Sequence, residues 1–320
     1  MPAVIALSPL GHNKTMNVAQ VIFNSVITAA ELGIIAIGLT LTFSILKFAN
    51  FAHVETAVLG AYVAYVFNTT LDWNFTIAII VAVLIMGFVG IVIDRGVFRI
   101  MRNKPDVTPM IASLGLAIAI RHGIQAIWGP QHVRFDFEIH QGLKLFGAFI
   151  TRPQIGIIVI VVIAMIAFHV MLKFTRIGKA MRATATNPEL AQACSIDTEK
   201  VVRFVWFIGT GFAALGGILF AWDTQLDPYL GFNLVIPVFC VVLIGGIGSV
   251  YGAIVGALIV GFAQNLGVAL DFSFVLNGFG LFDFVDQVRL PVAYKPAIIY
   301  AAVILVLMFR PHGLAKREML

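Results

Sequence analysis

The sequence predicts an all-α polytopic integral membrane protein with about nine transmembrane helices (8–10) and no soluble domain. Three observations carry that prediction. Of 320 residues, 60% are apolar and only 12% are charged, against about 25% charged in an average soluble domain. A water-soluble fold of this size has no means of hiding so much apolar surface. The apolar residues also fall into runs bounded by charge and turn residues, each near the ~20 residues of one crossing. Finally, Lys and Arg are unequally shared between alternate connections, the mark of a fixed orientation. An ordinary soluble enzyme, a disordered chain and a nucleic-acid-binding domain are thereby excluded. The net charge of +5 reads as a topology signal, with a lipid bilayer and no nucleic acid as its counterpart.

The runs are 18–46, 54–68, 75–93, 107–128, 153–172, 201–222, 233–247, 252–270 and 293–309. At 1.5 Å per residue the first makes about 43 Å of helix, against a hydrocarbon core of about 30 Å. It is expected to tilt, to protrude, or to break near Gly33 or Gly38. Runs 54–68 and 233–247 are short, as discontinuous helices lining a transport site often are. With the connection after the third run placed in the cytoplasm, thirteen basic residues lie inside: Lys47, Arg95, Arg99, Arg102, Lys104, Lys173, Arg176, Lys179, Arg182, Lys200, Arg310, Lys316 and Arg317. Five lie outside: Lys14, Arg134, Lys144, Arg152 and Arg289. Arg121, Arg203 and Lys295 sit in or at the edge of runs. Nine crossings then put the N-terminus outside and the C-terminus in the cytoplasm. A different division of 18–46 or 233–270 gives eight or ten. Residues 1–17 have no basic stretch ahead of their apolar residues and do not resemble a cleaved signal peptide. Cys194 and Cys240 form neither a metal spacing nor a disulfide framework.

The segment 173–200 reads as helix, cap and short helix. Lys179, Arg182 and Ala183 lie on a stretch free of breakers. Asn187-Pro188 then marks a new helix start, since Asn caps and Pro suits the first position. Glu189 falls in the first turn, where negative charge suits the helix dipole. Twenty-eight residues with internal order exceed a plain linker of roughly 2–8 residues. They suit a docking element for a cytoplasmic partner; the competing reading is a solvated, lipid-touching loop.

GKAMRATATNPELAQACSID resembles the cytoplasmic coupling loop of ABC-transporter permeases of the branched-chain amino-acid (Liv) type. AIGLTLTFSILKFANFAHVETAVLGAYVAY, SLGLAIAIRHGIQAIWGP, VVLIGGIGSVYGAIVGALIVG and YKPAIIYAAVILVLMFRPHGL resemble further segments of that family, in its order, from about residue 20 to 314. Val54 follows His53 where the family usually carries Gly. The resemblance implies a mechanism with a second, related or identical permease subunit, two cytoplasmic ATPases docked on the coupling loops, and a periplasmic binding protein that delivers substrate. It also implies a bacterial inner (cytoplasmic) membrane. The docking positions would be Gly178, Lys179, Arg182, Ala183, Asn187, Pro188 and Glu189, with Gly178 permitting close backbone approach. The chain has no Gly-x-x-x-x-Gly-Lys-Ser/Thr loop. No cofactor is expected on this chain, and ATP is expected to be used by the partner subunits.

Polar residues inside runs are costly and mark a path or a pairing. Glu31 lies mid-run and is expected either to line the path or to pair with another helix. Asn50, His53 and Glu55 cluster after Lys47 and interrupt the apolar run. Irregular backbone there fits the translocation route or an ordinary cytoplasmic turn. Arg121 either snorkels outward or pairs with Glu31. Gln264 and Asn265 are placed to hydrogen-bond across helices. Gly245-Gly246-Ile247-Gly248-Ser249 has the wrong spacing for a dinucleotide loop and reads as a tight turn feeding a helix. Gly252 and Gly256 form a small-residue seam, within the chain or between subunits. Trp73, Trp128, Trp222, Tyr229 and Tyr300 suit interfacial anchoring. No catalytic constellation or metal-ligand spacing appears. The expected function is the permease subunit of an ATP-driven importer for branched-chain amino acids. Relatives carrying urea, short amides or other amino acids are the nearest alternative. An ion-gradient-driven secondary transporter is a rival of another class, and an intramembrane enzyme lacks a nucleophile.

Overall fold

A computed structural model describes residues 17–102, 104–135, 142–145, 147–270, 291, 294–311 and 313–315. Lys14, Arg289, Lys316, Arg317 and the signal-peptide reading of the N-terminus lie outside the described residues. The chain is a helical bundle: α1 (Val18–Leu46), α2 (Ala52–Tyr65), α3 (Phe75–Ile93), α4 (Val107–Trp128), α5 (Arg152–Phe174), α6 (Arg176–Thr186), α7 (Pro188–Ala193), α8 (Thr198–Asp223), α9 (Leu230–Gly245), α10 (Val250–Ala269) and α11 (Lys295–Phe309). Each of the nine apolar runs holds one of these helices, and α6 and α7 occupy 173–200. Among the described residues, six helices are long and apolar enough to cross a membrane: α1, α3 with its extension to Met101, α4, α5, α8 and α10. α9 and α11 are shorter apolar helices, and α2 approaches a span's length only through the wider turn Val66–Thr70. The nine-fold count of crossings is therefore not established.

Local chemistry settles one open alternative of the sequence and overturns one expectation. The first helix has no break: α1 runs through Gly33 and Gly38, and its neighbours pack close against both glycines. The all-α expectation also misses an antiparallel hairpin, Leu143–Leu145 with Ala148–Ile150, which turns at Gly147 (φ 83°). The Gln20 side chain pairs with the Phe149 backbone, giving at 3.1 Å and accepting at 2.8 Å, and so docks this hairpin on the start of α1.

Side chains fix the helix starts. The Asn17, Asn74, Thr151, Thr175, Asn187, Asp197 and Ser249 side chains each accept an N–H from the first turn that follows, filling donors a helix cannot fill itself. Thr151 and Gln154 make a reciprocal capping box. At Asp197, the Lys200 N–H and then its ammonium hold the carboxyl below the usual carboxylate range.

Burial sorts the helices into core and periphery. The apolar stretches of α1 and α8 are 78% and 72% buried, those of α4 and α5 only 17% and 22%. α1 packs on α8 and α10, and α8 also packs on α2 and α3. The outer helices expose rows such as Ile111 and Ile118 on α4 and Ile163 and Ile166 on α5, which a bilayer covers. The inner helices meet through small residues. Gly33 faces Ala257, Gly261 faces Ala29, and Gly216 faces Ile35; such faces let backbones approach where lipid supplies no hydrophobic drive. Asn265 bonds Thr28 at 3.2 Å and receives Lys295 Nζ at 3.4 Å, tying α10 to α1 and α11.

The Gly252 and Gly256 seam is internal. Both glycines press on Gly245 of α9; a Cβ on Gly256 would strike the Val241 carbonyl and lie 2.9 Å from the Gly245 nitrogen. The turn between α9 and α10 uses positive φ at Gly246 (101°) and Gly248 (88°). The Leu314 and Ala315 N–H groups then close the last carbonyls of α9 at 2.9 and 3.1 Å. Gly256→Leu is predicted to destabilise the bundle by at least about 1–3 kcal/mol through overpacking. It should lower both the melting temperature in detergent and the extracted yield. Gly123→Leu, with nothing within 4 Å of a Cβ, should behave as wild type; equal yields for the two variants would remove the seam.

Candidate functional site

α1 ends at Lys47, which takes the left-handed conformation (φ 62°) while its N–H closes the helix on Phe43. The chain then turns through Asn50. The Asn50 side chain accepts the Ala52 N–H at 3.1 Å, and its carbonyl accepts the His53 N–H at 3.3 Å. These bonds start α2. Val54 is fully buried inside that helix, so the turn does not need a glycine there. The Phe51 N–H donates to Ser113 Oγ of α4 at 3.1 Å, and the Phe51 ring stacks on Phe239 of α9 with centroids 4.8 Å apart. Asn50, His53 and Glu55 are thus buried among α1, α2, α4 and α9 and are not exposed on a surface turn.

His53 Nε2 donates to the Ile35 carbonyl at 3.2 Å, while Nδ1 has no partner among the described residues. Gly38 lets the imidazole approach α1 closely, since a Cβ there would come 2.9 Å from Nε2. One and a half turns along from Asn50, Glu55 is wholly buried. Its Oε1 receives both Nε (3.0 Å) and Nη2 of Arg121. Arg121 therefore pairs with neither solvent nor Glu31. Its partner is on α2, because Pro109, Ser113 and Ala117 form a buried stripe of α4 at four-residue spacing, and Arg121 continues it. The guanidinium carbon lies 5.0 Å from the centre of the Phe232 ring. Gly231, in the first turn of α9, makes room for the carboxylate: a Cβ there would strike Glu55 Oε2. Glu55 Oε2 has no hydrogen-bond partner among the described residues. Removing one member of such a pair strands the other and costs about 3–5 kcal/mol. Glu31 lies apart on α1, buried, its Oε1 without a partner among the described residues.

The second cluster is at the end of the bundle carrying α6 and α7, called here the basic end. α6 turns Gly178, Met181, Thr184 and Ala185 inward. Gly178 does make a close backbone approach, and that approach is to the Met171 and Leu172 carbonyls of α5 within the chain. Arg182 likewise bonds the Leu172 carbonyl and caps α5. Ala183 is half-buried, whereas Lys179, Asn187, Pro188 and Glu189 are exposed. Asn187 caps α7 by accepting the Leu190 N–H at 3.0 Å. Leu190, which the sequence reading passed over, is 61% exposed at the tip.

Contacts legible only in three dimensions join the clusters. Lys47 Nζ donates at 3.2 Å to the carbonyl of Ala185, one of the four carbonyls a helix leaves open at its C-terminus. A cation there also suits the dipole of α6. The α1–α2 turn is thus fastened to the α6–α7 element. Nearby, Arg102 Nη2 grips both oxygens of Asp94 at 2.8 and 2.6 Å while Nη1 bonds Glu199. This three-residue bridge ties α3 to α8 beside a cavity of about 320 Å³ lined by Leu46, Phe98, Lys104, Thr184 and others. No group of His, Cys, Asp and Glu suited to a metal occurs among the described residues, and Cys194 and Cys240 are free thiols.

Comparison with known proteins matches this sequence to one family. Residues 21–307 fit the model of the "Branched-chain amino acid transport system / permease component" family. The high-affinity branched-chain amino acid transport system permease protein LivH of Salmonella typhimurium is 29% identical over 93% of this chain and 95% of its own length. BraD, the corresponding permease protein of Pseudomonas aeruginosa, is 26% identical over 93% and 95%. The ribose import permease protein RbsC of Haemophilus influenzae is 26% identical over 75% of each. The chain belongs to the family of branched-chain amino-acid transport permease components, and is a multi-pass membrane protein and not itself an enzyme.

Proposed function

We propose that the chain is a permease subunit of an ATP-driven importer of branched-chain amino acids in a bacterial inner membrane, with its C-terminus cytoplasmic. It pairs with a second, related or identical permease. Two ATPases dock at the basic end, and a periplasmic binding protein loads the opposite end. The observation that carries this reading is the Lys47–Ala185 bond: an ordered, exposed helical element is fastened directly to the turn that carries Asn50, His53 and Glu55. A solvated loop has no reason for such a tie. A partner that moves α6 and α7 moves the turn with them. The translocation path runs past Asn50, His53, Glu55 and Arg121, with Glu31 further along α1. Lys179, Asn187, Pro188 and Glu189 offer the contact surface to the ATPases, while Gly178, Arg182 and Ala183 brace it from behind.

Proteoliposomes carrying the chain, its companion permease and the ATPases, with ATP sealed inside and the binding protein outside, should accumulate leucine only with ATP. Uptake that persists without the ATPases, or that a protonophore abolishes, would replace this reading with a secondary transporter. Uptake of urea or an amide in place of leucine would keep the importer and change the substrate. Glu189→Arg should leave insertion intact and lower leucine moved per ATP hydrolysed by about tenfold, the scale of a reversed charge at a docking contact. Lys47→Met should lower the same ratio, with Lys47→Arg restoring most of it; a wild-type ratio in Lys47→Met would show that the bond transmits nothing.

A further inference from the structure

We infer that the Glu55–Arg121 pair is the binding site for the charged backbone of a zwitterionic amino acid, which enters by exchanging with the pair. This deepens the importer reading and rests on it for the identity of the ligand class. The pair lies where α2, α4 and the first turn of α9 meet, and its bonding is incomplete. Arg121 spends Nε and Nη2 on the single oxygen Oε1. Oε2 of Glu55, in a residue with no exposed surface, has no partner among the described residues.

Opening such a pair is costly for most ligands. A neutral molecule strands both charges, and a singly charged one strands the other, at several kcal/mol in a buried site. A zwitterion alone satisfies both. Its ammonium takes Glu55, including the unused Oε2, and its carboxylate takes the Arg121 fork, which favours two parallel bonds to one carboxylate. One ion contact becomes two. Phe232 is placed for the rest of the molecule: its ring lies against the guanidinium and is 59% exposed, so a branched aliphatic side chain meets an apolar surface beside the charged one. Gly231 keeps the carboxylate within reach of the α9 N-terminus, whose dipole holds Glu55 in place while its partner is exchanged. Urea and short amides, which carry no charge, have no means of opening this pair.

Saturation-transfer NMR on the purified permease–ATPase complex, without binding protein, tests the site. The probes are L-leucine, leucinamide (ammonium only), isocaproate (carboxylate only) and urea. Leucine should give a signal, and each of the others one at least about tenfold weaker, because each strands a buried charge. Arg121→Lys, which keeps the charge and loses the fork, should weaken leucine without abolishing it, and Glu55→Gln should abolish it. Absent leucine binding, equal signals from the singly charged analogues, or a leucine signal unchanged in Glu55→Gln overturns the proposal. The wild-type analogue series decides even if a variant fails to fold. ATP-driven leucine uptake unaltered by Glu55→Gln sinks this site and leaves the importer standing, whereas zwitterion binding without ATP-driven uptake sinks the importer alone.

Discussion

In a bilayer, helices gain nothing hydrophobic from leaving lipid for each other, so close backbone approach and a few satisfied polar contacts must hold them together. The rest of this structure depends on that constraint. α1 is surrounded because small residues let α8 and α10 come close to it, as at Gly33 against Ala257 and Gly38 against the Gly209 carbonyl. With α1 fixed, the turn at Lys47 is fixed, and with it the start of α2. α4 is held differently. It lies at the edge and meets the body through buried Ala117 and Ile124, the Trp128 ring against Tyr62, and the polar contacts of Ser113 and Arg121.

That division has a functional meaning. A seam of glycines is rigid, since any separation forfeits many contacts at once. A helix whose attachment includes two polar points can be loosened by exchanging those points for a ligand's groups, at little net cost when the charges match. The core of α1, α8 and α10 supplies a frame, and α2, α4 and the start of α9 supply the part that responds. The α6–α7 element touches that responsive part through Lys47 and braces itself on α5 through Arg182. The Asp94–Arg102–Glu199 bridge stands beside it and ties α3 to α8. A mechanical input at the basic end therefore has a short physical route to Asn50 and Glu55.

Much of this was legible in the sequence because the bilayer simplifies the code. Apolar runs fixed which segments are helical to within a few residues. The Asn187-Pro188 pair announced α7 by capping chemistry, and the Gly245–Ser249 turn announced a helix after it, though not that Ser249 caps α10. The Gly252–Gly256 spacing announced a seam, though not whose. What escaped was pairing across space. Glu31 and Glu55 are both acids in or beside apolar runs, and the sequence left Arg121 free to snorkel outward or to pair with Glu31; the true partner, Glu55, lies on a helix whose approach no local pattern records. Lys47 counted as a topology charge, and its bond to Ala185 depends on a left-handed turn that no motif marks. Gly178 looked like a docking glycine because a close approach was needed. The sequence did not say that the approach was to α5. The hairpin at 143–150 was lost because three-residue strands fall below any periodic signal.

The central claim is that α4 is held to the body by a charge pair and that α2 and α9 are organised around it. The direct measurement is a double-mutant cycle on the melting of the detergent-solubilised protein, with Glu55→Gln, Arg121→Gln and the two combined. If the pair is as described, each single change costs about 3–5 kcal/mol and the double costs clearly less than their sum, since no charge is then left stranded. Strictly additive effects would mean that Glu55 and Arg121 do not meet, and the account of α4 would be wrong.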